Sequence, residues 1–334
     1  MRVCICFLIL SALTGLMHTE VNRSLYNYSK LEARVLAITN GANGKITITK
    51  IGTTHGGRNL LCLKFTGESA GTAGEKRLLI IGGTHSLEWP SYELGIRFAC
   101  KLASNMKAGI NPYSTVYIIP AVNPDGFNYM QYIPNPYYNA RKNLGFSPSE
   151  KDPRVYTQGV DINRNFPVGW KFQSSPYSVF YSGTRPGSEP ETRAVMDLTR
   201  AVKPDFAISL HSPGRNILYP WGYKKEEIKD PALVNTCEEF ANIINTSDEF
   251  SKIIINSEES SKREGKKGYR ASFRAEQDAV NYLKYGDEID WFYGEMHIPC
   301  FRLEIAKDLE TYTLEEYSGI EKALLWLVNV KLKS

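Results

Sequence analysis

Cysteine and histidine are scarce in this chain, and so is any excess of one charge. Six cysteines and five histidines occur in 334 residues. No two cysteines stand in C-x-x-C spacing, which removes the usual signature of a structural zinc site or a redox dithiol. Forty basic residues face thirty-six acidic ones, a net charge of +4. They are interspersed, so no nucleic-acid footprint is present. The densest basic run, SKREGKKGYR at 261–270, reads as a solvated loop. There is no internal repeat and no interdomain linker. With 42% hydrophobic and 23% charged residues, the composition is that of a globular chain with a sizeable core.

No apolar run is long enough for a membrane span. The N-terminal segment MRVCICFLILSALTGLM carries one early arginine and small residues after its apolar stretch. It stops short of the ~20 residues that cross a bilayer and has the form of a secretory signal. The expected division is therefore a signal peptide at 1–19 and a single domain at 20–334. A buried first helix is the other reading, although the polar HTEVNRSLYNYSK that follows does not continue one. Secretion would leave Cys62, Cys100, Cys237 and Cys300 for two disulfides in any of three pairings, or as buried thiols. The sequons at Asn22, Asn27 and Asn245 would be acceptors in a eukaryotic secretory pathway.

What is present is an alternation of strands and helices. KITITKIG, THGGRN and LLCLKF predict a hairpin over 45–65 with His55 exposed in its turn. RLLIIGG at 77–83 predicts a strand buried on both faces, followed by a helix that Pro90 opens. STVYIIPAVN, DFAISLHS and CFRLEIA predict further strands. Ser188 and Glu191 have capping-box spacing at one helix start, and Thr313 and Glu316 at the last helix. Tyr317, Ile320, Leu324, Leu327 and Val328 form the buried stripe of that last helix. The expected fold is α/β: a mixed, mostly parallel twisted sheet with helices on both faces. The tyrosine- and proline-rich stretch at 128–182 reads as site-shaping loops.

Ligands in such sheets gather beyond the carboxyl ends of the strands, and the polar oddities fall there. His85 and Glu88 follow one strand, Asn123 and Asp125 another, His211 ends a third, and Glu304 lies in a late apolar strand. Two histidines and a carboxylate are a usual protein set for catalytic zinc, with one position left for water. The alternatives are ordinary ones. His85 could satisfy a backbone group while Glu88 caps a helix, and Glu304 could face solvent from an edge strand. His297 reads as structural.

THSLEW, PAVNPDGF, NARKN, GVDINRNFP, SEPET, SLHS, LYPWGY, NYLKYGDEIDW and FRLEIAKD occur in the order and near the spacing of the zinc metallocarboxypeptidases of the carboxypeptidase A, or funnelin, type. The chain resembles that family over nearly all of its length after the N-terminal segment. The resemblance implies one zinc ion bound by His85, Glu88 and His211, with Glu304 as general base. It implies Arg141 as the stabiliser of the oxyanion, with Lys142 as a competitor for that role. Asn163 and Arg164 would bind the substrate's terminal carboxylate, and Tyr282, rather than its neighbour Tyr285, would close over it. Gly222, Lys284, Asp287 and Ile289 would line the pocket for the terminal side chain.

There are departures from the family. Leu87 stands where many relatives have arginine, and Ile289 stands where basic-preferring relatives carry aspartate. Lys284 and Asp287 replace residues that are usually small. No inhibitory prosegment and no additional β-rich domain is expected. The implied activity is removal of C-terminal residues from peptides by a secreted monomer, with no nucleic-acid partner and no membrane attachment after signal removal. The alternatives are cleavage of γ-D-glutamyl-diaminopimelate bonds in peptidoglycan peptides, and noncatalytic peptide binding.

Overall fold

The computed structural model describes residues 27–39, 44–130, 141–143, 159–173, 175–254, 272–280, 282–306 and 314–330. The expected signal segment, the basic run at 261–270, Thr313 and much of the 128–182 stretch lie outside them.

One eight-stranded sheet runs in the order β1, β2, β4, β3, β5, β8, β6, β7. Its strands are β1 (Ile46–Thr53), β2 (Asn59–Phe65), β3 (Arg77–Ile81), β4 (Thr115–Ile119), β5 (Phe206–His211), β6 (Asn216–Tyr219), β7 (Arg274–Gln277) and β8 (Cys300–Glu304). β1 and β2 are the expected hairpin. Strands β4, β3, β5 and β8 pair in parallel. β2 joins β4, and β6 joins β8, in the antiparallel sense. The sheet is thus mixed, with a parallel centre.

The central strands are aliphatic because both of their faces are covered. In β3, Leu78 and Ile80 enter one apolar cluster with helices α1 (Tyr28–Ile38), α2 (Trp89–Lys107), α5 (Pro231–Asn245) and α7 (Leu314–Asn329). Leu79 and Ile81 enter another, with α4 (Pro190–Val202) and α6 (Glu288–Gly294). Successive strand residues point to opposite faces, so four aliphatic residues of β3 serve two cores. All five residues of the stripe read on α7 are buried. The short helix α3 (Pro124–Tyr129) follows β4.

Three local expectations are corrected. The residue before α4 is Glu189, and its side chain makes no capping bond. Ser188 instead donates to Glu189, and Glu191 accepts from Asn143, so the capping-box spacing is present without the box. His55 is not a lone loop residue: its Nε2 lies 3.2 Å from Glu189 Oε2. Glu304 is not on an edge, since β8 lies between β5 and β6. Cys62, Cys237 and Cys300 are buried free thiols. Among the described residues, no helix is long and apolar enough to cross a membrane.

Candidate metal centre and its surroundings

The parallel register brings the polar strand ends together. His211 and Glu304, the last residues of β5 and β8, are direct register partners. β3 runs beside β5 and ends four residues before His85. The chain turns there at Gly83, whose φ is +65°. A Cβ at Gly83 would meet the Tyr92 ring at 2.4 Å, so only glycine suits both the backbone and the space.

His85, Glu88 and His211 are buried, and one ligand atom from each lies within 4.8 Å of the others. His85 Nδ1 is 2.7 Å from Glu88 Oε1. His211 Nδ1 is 2.9 Å from Glu88 Oε2 and 3.1 Å from His85 Nδ1. Glu88 stands at the start of α2 yet makes no side-chain capping bond, so the capping reading is rejected. Two ring nitrogens and a carboxylate that face one another are donors a cation would satisfy together, and this set suits zinc.

The outer nitrogens are also engaged. His85 Nε2 lies 3.1 Å from Asp161 Oδ1, and His211 Nε2 lies 2.7 Å from Glu288 Oε1. Ser209 and Thr84 hydroxyls donate to the same Glu288 carboxylate. Carboxylates on the far nitrogens orient metal-binding imidazoles and raise their basicity. Neither Asp161 nor Glu288 carries a sequence signal of its own beyond the D-I-N-R context that sets Asp161 beside Asn163 and Arg164.

Electrostatics follow from this crowding. Burial opposes ionisation of Glu88, but the His85 and His211 rings outweigh it and hold the carboxyl below its usual range. At Glu304, desolvation dominates: although His211 opposes it, Glu88 assists and the carboxyl is pushed up to about 7.

Arg141 enters this group and Lys142 leaves it. Arg141 Nε donates to Asp161 at 2.8 Å, and its Nη1 is 3.5 Å from Glu88. Lys142 is buried and donates to the carbonyls of Pro176 and Ser178. Arg164 and Arg141 both stand over the Phe180 ring, at 5.5 and 5.6 Å. Asn163 accepts from the Glu288 amide through Oδ1, and its amide nitrogen is 3.4 Å from Asp287. Tyr282 is 51% exposed, with Lys284 Nζ 4.3 Å from its ring centre.

The residues expected to line the terminal-side-chain pocket make a closed charge network. Lys284 Nζ is 2.9 Å from Asp278 Oδ1. Arg302 donates to both oxygens of Asp278 and to Asp287. Asp278 also stands against Gly222, where a Cβ would meet it at 2.6 Å. Ile289 is fully buried in the cluster beneath α6. Lys284 and Asp287 are therefore buried against internal charge partners rather than turned to solvent, and a clamp on a diaminopimelate end is not favoured. Asn123 and Asp125 serve local structure: Asn123 caps α3, and Asp125 accepts from Thr54, Gly56 and Arg58.

A buried pair of imidazoles with one carboxylate stands at the carboxyl edge of a mixed sheet beside a further acid, a donor set that suits one metal ion. The family model for zinc carboxypeptidases, peptidase M14, matches residues 35–323. The chain belongs to the zinc carboxypeptidase family.

It is 31% identical to carboxypeptidase A1 of Rattus norvegicus over 194 residues, 55% of this chain and 43% of that protein. It is 25% identical to the inactive metallocarboxypeptidase ecm14 of Talaromyces marneffei over 276 residues, 75% of this chain and 43% of that protein. The match thus spans less than half of the length of those relatives. Among solved structures, thrombin-activatable fibrinolysis inhibitor superposes with a TM-score of 0.69 at 25% identity, covering 92% of this chain and 74% of that one. Carboxypeptidase A from Helicoverpa armigera gives 0.68 at 18% identity, covering 94% and 75%. The mixed sheet and its helices are those of the carboxypeptidase fold.

Proposed function

We propose that this chain is a zinc-dependent carboxypeptidase that hydrolyses the last peptide bond of peptides or proteins with a free C-terminus. The observation that carries the reading is the convergence of His85, Glu88 and His211, with Glu304 as the register partner of His211. His85, Glu88 and His211 would hold one zinc ion. When bound, zinc supplies Lewis-acid chemistry, raising the acidity of a water and polarising a carbonyl.

Glu304 takes the proton from that water and returns it to the leaving amine, a role suited to a carboxyl whose pKa lies near neutrality. Arg141, held by Asp161, stabilises charge on the carbonyl oxygen. Asn163 and Arg164 receive the terminal carboxylate through amide and guanidinium donors, and Tyr282 covers the bound end. Asp161 and Glu288 are positioning residues that act through the two histidines. Gly222, Lys284, Asp287 and Ile289 border the terminal side chain, and Arg302 and Asp278 join them. Their mutual pairing favours small or polar side chains over long apolar ones. The N-terminal segment supports secretion, and the enzyme acts as a monomer on peptide C-termini.

The test is mass spectrometry on a peptide set with free and amidated ends, using zinc-loaded protein with and without chelator. The expected result is loss of single residues from free ends only, abolished by chelation. Stoichiometrically loaded protein that leaves every free-ended peptide intact, or that cuts amidated ones equally, would overturn the proposal.

A further inference from the structure

A second group of metal-ligating side chains lies outside the candidate active site, between the β1–β2 turn and the start of α4. One ligand atom each from His55, Glu189 and Glu191 lies within 4.8 Å of the others. None of these residues has a part in the peptide hydrolysis proposed above.

The group is built from both sides. On one side, buried Asp125 accepts from Thr54 Oγ1 at 2.8 Å, the Gly56 amide at 2.8 Å and Arg58 Nη1 at 2.9 Å. A Cβ at Gly56 would meet Asp125 at 2.6 Å. The turn is therefore clamped on either side of His55, whose side chain is 22% exposed. On the other side, the Asn143 amide nitrogen donates to Glu189 Oε2 at 2.7 Å and to Glu191 Oε2 at 3.0 Å. One amide thus holds two buried carboxylates together. Glu189 Oε1 accepts from Ser188 Oγ at 2.7 Å.

Glu191 Oε1 is left over: its residue is fully buried and the oxygen has no hydrogen-bond partner. A buried carboxylate oxygen without a partner costs the full desolvation of that group. Burial and nearby Asp125 push the Glu191 carboxyl up to about 8. A cation shared by Glu189, Glu191 and His55 would offset the repulsion of the paired acids and compensate the burial of the Glu191 carboxylate.

We propose that His55, Glu189 and Glu191 form a second, structural site for a divalent first-row transition metal, with zinc the best match. An imidazole with two carboxylates suits borderline metals, whereas calcium prefers six to eight oxygens and magnesium keeps most of its waters. The site pins the β1–β2 turn to α4 and to Asn143, two residues from Arg141. It therefore steadies the segment that carries Arg141 without touching substrate.

The test counts zinc by equilibrium dialysis and elemental analysis on the full chain. Two equivalents are expected in the wild type, and one in His55→Ala, in Glu191→Gln and in a His85→Ala/His211→Ala variant. In that double variant, zinc should still raise Tm in a concentration-dependent way, and adding His55→Ala should remove the shift. Calcium at the same concentration should give none. His55 is partly exposed, so its variant tests the site even if Glu191→Gln fails to fold. One equivalent in the wild type, two in His55→Ala, or equal protection by calcium would overturn the proposal.

Discussion

Asp287 and Glu288 are neighbours in the chain, yet they belong to two buried charge clusters that end in different ways. Glu288 turns to His211, and that cluster converges on a point where two ring nitrogens stand 3.1 Å apart with a carboxylate beside them. Asp287 turns to Arg302, and that cluster pairs its charges through Asp278 and Lys284, with Arg164 3.9 Å and the Asn163 amide 3.4 Å from Asp287. The first gathers donors that one cation would satisfy together. The second has spent its charges on one another. Burial alone therefore does not mark a ligand site; what marks one is donors aimed at a common point.

The comparison breaks most readily at Glu304. Glu304→Gln should lower kcat by about a hundredfold to ten-thousandfold, the usual worth of a positioned general base, while zinc content stays at the wild-type value. Unchanged turnover would remove Glu304 from the first cluster's chemistry.

Arg302→Met opens the second cluster and leaves buried Asp287 undercompensated. Losing one partner of a buried pair typically costs about 3–5 kcal/mol, readable as a lower urea midpoint at unchanged slope. Zinc binding should be retained. Loss of zinc along with stability would mean that the clusters are one unit.

Glu288→Gln keeps the shape but removes the charge behind His211. Zinc affinity, measured by competition with a chromophoric chelator, should fall about 10–100-fold. Asp278→Asn should not change it. A Glu288→Gln protein with undiminished affinity would make that carboxylate a packing residue only.

The smallest effect is in pH dependence. As the proposed base, Glu304 would act only when deprotonated, and desolvation has pushed its carboxyl up to about 7, so kcat/KM should rise as pH increases towards neutrality. A metal cation alongside favours the ionised form, which sets the acidic limb at or below about 7. Glu304→Gln should abolish the limb, whereas Arg302→Lys should leave its sign unchanged.

Legibility in the sequence divides along the same line. The strands β3, β5 and β8 are short aliphatic runs, and their parallel pairing fixes which polar residues meet, so His85, Glu88, His211 and Glu304 could be read from strand ends. Arg141 is favoured over Lys142 by the local resemblance alone, because two adjacent cations differ only in which way the chain turns. Glu288 lies 77 residues from His211, and Arg302 lies 24 from Asp278; no local pattern records such pairings. Lys284 and Asp287 stood out as charges in an expected pocket, yet sequence could not show that their partners were internal. His55 looked like a turn residue because its partner, Glu189, is 134 positions away. Glu191 satisfied the spacing of a helix cap, but Asn143 claims its carboxylate.

The central claim is that the first cluster is a metal centre and the second is not. Anomalous diffraction at the zinc edge from zinc-loaded crystals tests it most directly. The account predicts a strong peak bounded by His85 Nδ1, His211 Nδ1 and the Glu88 carboxylate, and none among Asp278, Lys284, Asp287 and Arg302. A zinc-loaded crystal with no peak at the first position, or with one inside the second network, would contradict it.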